Sequence, residues 1–110
     1  MGLIPSNYNN FRDTPFESYN GDISSDAYYQ LLTPGYRVKL ISNTDIRIIL
    51  LEEIEDSPDF DVDGIYIPKD TYYEFNVHMY RKHFYCESIS EASEASEQFV
   101  NITYINGFVQ

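Results

Sequence analysis

The residues with the strongest claim to chemistry lie in one acidic stretch, DFDVDG, where Asp59, Asp61 and Asp63 alternate ahead of Gly64. Carboxylates two apart followed by a glycine match the first half of a helix-loop-helix calcium loop, and Asp70 falls at its twelfth position. The intervening IYIPK reads as an extended strand, however, and at about 3.3 Å per residue it carries Asp70 roughly 20 Å from the other three. Helical flanks are also missing. A minimal calcium site of Asp59, Asp61 and Asp63 with backbone carbonyls is the weak candidate that remains. An exposed acidic turn whose glycine starts the next strand explains the same residues with fewer demands and is the expectation. No cofactor is expected.

The other reactive side chains form no recognisable constellation. His78 and His83 flank MYRK, so a hairpin there could bring the rings together with Glu87 or Cys86 as a further metal ligand, but Cys86 falls on the opposite face from His83 by alternation, and surface histidines beside Arg81 and Lys82 are the preferred account. Cys86, between Tyr85 and Glu87, reads as a small core hydrophobe. No GxSxG elbow is present, and with only 5 glycines there is no phosphate-cradling loop. Pairs such as Glu52 with Glu53 are uninformative in so acidic a chain. The protein is therefore not expected to be an enzyme. Arg37, Lys39 and Arg47 occupy outward positions of two strands taken as neighbours and could make a positive stripe; pairing with nearby carboxylates is the preferred account. Asn101 begins an NIT acceptor triplet inside a strand and carries no weight.

The elements that must position these groups change character along the chain. Residues 1–34 are rich in Pro, Asn and Ser without sustained periodicity, and they read as an extended N-terminal arm. Within it SSDAYYQLL could form a short helix, capped by Ser24 or Ser25 and ended by Pro34 and Gly35. Leu3, Ile4, Tyr8, Phe11, Phe16 and Tyr19 are too many apolar side chains to leave in water, so they are the candidate partner-binding residues of the arm. Residues 35–110 read as a domain with period-two alternation, the mark of strands with one buried face. YRVKLI sets Val38 and Leu40 inward. TDIRIILL sets Ile46, Ile48 and Leu50 on one face and is apolar on both faces at Ile49 and Leu51, as a central strand would be. GIYIP, a KD turn and TYYEFNVHMY follow, the last with Tyr73, Phe75 and Val77 on one face. HFYCESI and QFVNITYINGF close the series, with SEASEASE expected as a loop between them. The expected fold is all-β: an antiparallel β-sandwich, immunoglobulin-like or jelly-roll-like, of about six to eight strands.

Charge and length narrow the partners. In 110 residues, 7 Lys and Arg oppose 18 Asp and Glu, a net charge of −11 that disfavours nucleic acid and anionic membranes. The 11 tyrosines and 7 phenylalanines supply enough burial to order the chain. Cys86 is the single cysteine, which excludes an internal disulfide. Neither an apolar leader nor a spanning segment is evident, so synthesis in a cytoplasm is expected.

The run GYRVKLISNTDIRIILLEE, then DGIYIPKDTYYEFNVHMYRKHFYCESIS, then EQFVNITYING resembles small β-sandwich proteins of tailed-bacteriophage virions. In that pattern a strand ends in TDIRI, a GxYIP strand precedes a Thr-started aromatic strand, and FYCES and VNITYI close the sheet. The resemblance spans roughly residues 35–108. It implies a virion structural protein, of capsid-decoration, head-fibre or neck type, made in the host cytoplasm, homo-oligomeric and bound to major capsid or neck proteins. Two other expectations follow from composition: a small acidic inhibitor mimicking nucleic-acid charge, and a carbohydrate-binding module using exposed tyrosines.

Overall fold

The computed structural model describes residues 17–89 and 97–107, and there the alternating segments become eight strands. These are Ser18–Asp22 (β1), Tyr28–Leu31 (β2), Tyr36–Ser42 (β3), Ile46–Leu51 (β4), Ile65–Ile67 (β5), Tyr73–Asn76 (β6), His83–Ser88 (β7) and Phe99–Gly107 (β8). Phe60–Asp63 forms a single helical turn (α1).

Two four-stranded sheets result, in the orders β1-β8-β3-β6 and β2-β7-β4-β5. Pairing is antiparallel throughout and nested: β1 with β8, β2 with β7, β3 with β6, β4 with β5. That nesting is what a long hairpin ribbon gives when it is rolled over on itself, and it makes the sandwich a jelly roll rather than an immunoglobulin fold. The inward sets are those the alternation specifies. Val38, Leu40, Ile46, Ile48, Phe84, Cys86, Val100 and Ile102 are all fully buried in one cluster between the sheets.

Three expectations are corrected. The stretch read as a short helix is strand β2, because Tyr28 and Tyr29 gain cross-strand partners in Cys86 and Tyr85 that a nine-residue helix could not match. Residues 18–31, assigned to the arm, instead give each sheet an edge strand, and the boundary placed between residues 34 and 35 falls within the turn joining β2 to β3. The strands carrying Arg37 with Lys39 and Arg47 are not neighbours, since β3 and β4 lie in different sheets, so no common stripe forms. The turn at Lys69 and Asp70 does form, with Asp70 at φ 60° and its amide donating to the Ser42 carbonyl at 2.8 Å. Residues 90–96 of the SEASEASE stretch, expected as a loop, lie outside the described residues.

Candidate functional site

Capping by Asp59 holds the acidic stretch in place. The Asp59 carboxylate accepts from the amides of Asp61 and Val62 at 3.1 and 3.3 Å, which satisfies two free donors at the start of α1. Gly64 ends the turn by donating to the Phe60 carbonyl at 3.0 Å, and a Cβ at Gly64 would stand 2.4 Å from that oxygen. Close backbone approach thus accounts for the glycine. Asp61 takes a hydrogen bond from Arg47 Nη1 at 3.0 Å. Asp59 and Asp61 are therefore spent on separate tasks, and among the described residues no three His, Cys, Asp or Glu side chains converge as a metal site.

This turn straps the β4–β5 connection onto the outer face of the second sheet. Phe60 buries against Ile49 and Tyr85, with Leu51 partly covered beside them. The Tyr85 hydroxyl accepts from the Glu55 amide at 2.7 Å and fixes the far end of the connection. Tyr29 lies against Tyr85 at 5.0 Å and stacks on His83 at 5.9 Å, sharing a 2.8 Å hydrogen bond between its hydroxyl and Nδ1. His78 accepts from the Tyr80 amide at 3.1 Å and packs against the Tyr80 ring at 5.6 Å, so each histidine has its own tyrosine neighbour.

The remaining sequence candidates have structural partners. Arg37 pairs with Glu74 at 2.9 Å across β3 and β6, and Lys39 lies 4.6 Å over the Tyr72 ring. Arg47 also reaches Glu87 at 3.9 Å. Burial pushes the Glu87 carboxyl upward, Arg47 pulls it back, and Asp61 adds to the rise. Burial, aided by the neighbouring Glu87 charge, pushes the Cys86 thiol up to about 12, so it stays protonated and unreactive. Asn101 faces outward on β8 and donates to Ser18 and Asn20 side chains, each at 2.9 Å. Tyr19 sits in β1 with its ring edge-on to Tyr104 at 6.2 Å. Leu3, Ile4, Tyr8, Phe11 and Phe16 lie outside the described residues.

Sequence reasoning missed the region with the most distinctive surface. Strand β5 pairs only with Ile46–Ile48, whereas β7 pairs with β4 along its whole length, so Ile49–Leu51 has a ladder partner on one side alone. The reason is local. Continuing the β4–β5 register would set Asp63 opposite Leu50, an inward position, and a carboxylate there would meet the core. The chain coils into α1 instead. Two adjoining grooves of about 440 and 240 Å³ follow the uncovered stretch, sharing Ile49, Leu50, Asp63 and Arg81. The first adds Glu52, Glu53 and Glu55 to its walls; the second adds Ile65 and Phe75. A usable signal was present: the apolar run IRIILL is twice as long as the strand GIYIP can cover.

Comparison with known protein families, curated proteins and solved structures gives no match for this chain.

Proposed function

We propose that the protein is a bacteriophage virion structural protein, an auxiliary capsid or decoration protein or another head-attached subunit, that works through protein–protein contacts. The observation that carries this reading is the distribution of exposed apolar side chains. Of the eleven large apolar side chains exposed among the described residues, six, Ile54, Val62, Ile65, Tyr66, Met79 and Tyr80, belong to the β4–β5 connection, β5 itself or the turn between β6 and β7, and the other five are spread over β1, β2, β8 and the β5–β6 turn. Scattered apolar residues are ordinary on any surface, but a concentration on neighbouring loops marks an interaction site. The jelly roll supplies the rigid scaffold, since its interior is filled by side chains and only its rims and sheet faces are free to vary. The pattern of strands and turns over residues 35–108 points to the virion as the setting, with major capsid or neck proteins and further copies of the chain as partners.

Quantitative mass spectrometry of gradient-purified particles tests the reading. Many copies per particle are expected, retained through high-salt washing; absence from mature particles would overturn it.

A further inference from the structure

We propose that the uncovered edge of β4, Ile49–Leu51, is a docking slot for an extended partner segment of alternating apolar and basic residues, which joins the sheet as a strand in line with β5. This rests on reading that side of the molecule as an assembly surface, but it does not require the partner to be a capsid protein.

Backbone and side chains both define the occupant. An antiparallel ladder needs amide and carbonyl groups on alternate residues, and β4 offers these along Ile49–Leu51 where β5 has already turned away. A segment entering there gains main-chain hydrogen bonds, the general basis of strand addition. Its central residue would lie opposite Leu50 and point between the sheets toward Ile65 and Phe75, in a groove that Asp63, Asn76, His78 and Arg81 also line, so an apolar side chain suits its inner part. Its flanking residues would lie opposite Ile49 and Leu51 and point outward. Among the described residues the wall there carries Glu52, Glu53, Glu55 and Asp63 against one cation, Arg81, so basic residues fit and acidic ones are repelled. The chain's own residues 1–16 are a poorer occupant, because Arg12 and Asp13 cancel and leave no basic side chain in excess. A second folded copy brings a further charge of −11 toward the same wall.

The test uses the full chain and three fluorescein-labelled peptides. One is an octapeptide alternating valine and lysine; the second replaces its valines by glycine at the same charge; the third is residues 1–16 of this sequence. Anisotropy titrations are expected to give the valine–lysine peptide at least ten-fold tighter binding than either other peptide. Glu52→Lys with Glu53→Lys, both exposed and outside the core, should weaken it at least ten-fold. Amide NMR should place new exchange protection at Ile49–Leu51. Equal binding of the glycine peptide would reduce the effect to bulk charge and overturn the proposal, as would tighter binding of the 1–16 peptide or protection arising elsewhere. If the protein is abundant in particles yet the slot fails these tests, the strand-addition proposal falls alone; absence from particles with a working slot defeats the virion reading alone.

Discussion

The two open sides of the sandwich are closed in different ways. On the β1–β2 side the chain seals itself. Tyr28 lays its ring over Gly21 so closely that a Cβ there would stand 2.5 Å from the ring, and Tyr19 adds an edge contact to Tyr104. Ile23 and Leu32, just past the ends of β1 and β2, are buried. Their amides donate to Gln98 and Lys82 carbonyls, both at 2.9 Å. On the β5–β6 side the strands are short and β4 is left half-covered, with Ile65 and Phe75 flanking a groove. Edge strands invite pairing with other chains, and proteins usually blunt them. Here the edge strands β1 and β2 are tied to each other by aromatic packing, while on the other side β5 stops short and leaves Ile49–Leu51 of β4 without a second ladder partner. Under the proposals above, the first side serves stability and the second recognition.

Substitutions that probe each side should separate these roles. Leu32→Ala, on the sealed side, is expected to lower unfolding free energy by about 2–5 kcal/mol in urea titrations, the range for emptying a buried leucine site. Gly21→Ala should cost about 1–3 kcal/mol, because the Tyr28 ring must give way to the new methyl group. A loss as small at Leu32 as at an exposed site would remove the distinction.

Alkaline pH probes the common core beneath both sides. The Cys86 thiol is protonated in the fold up to about 12, whereas in the unfolded chain it ionises near 9.0. Above the unfolded value the unfolded state binds fewer protons than the folded one, so stability falls as pH rises between those limits, by at most about 1.4 kcal/mol per pH unit. Below that window the term vanishes. The measurement is the difference in alkaline slope between the parent and Cys86→Ala, which should be flatter; equal slopes would place Cys86 in contact with water.

On the open side, Asp59→Ala removes the cap of α1 and should cost about 1 kcal/mol, with faster amide exchange at Asp61 and Val62. Ile65→Ala is expected to have the smallest effect, about 1 kcal/mol or less, because that side chain is already 41 % exposed. It should still weaken binding of an extended apolar and basic peptide. A large stability loss there would mean that the open side is structural after all.

Most of the sandwich was readable because burial on one face writes period-two alternation into the chain, as at Val38 and Leu40 or at Val100, Ile102 and Tyr104. What escaped was decided by tertiary partners. SYNGD and YYQL carry little alternation of their own; they become strands because β8 and β7 present free edges to them. The placement of Arg37 and Arg47 in separate sheets was equally illegible, since the chain crosses between layers from β3 to β4 and only the nested pairing reveals it. The acidic turn was legible as a turn, but the roles of its aspartates depend on Arg47 and the helix amides brought to them in space. The groove was half-written, as a long apolar strand facing a short one; the cause, Asp63 denied an inward position, needed the register.

On the virion reading proposed above, amide hydrogen exchange compared between the free protein and the same protein in purified particles tests the division between the two sides most directly. Assembly is expected to protect residues 49–54 and 62–66 and the turn at 78–81, leaving β1 and β2 unchanged. Protection gained at β1 and β2, with the β4 edge exchanging as in the free subunit, would contradict it.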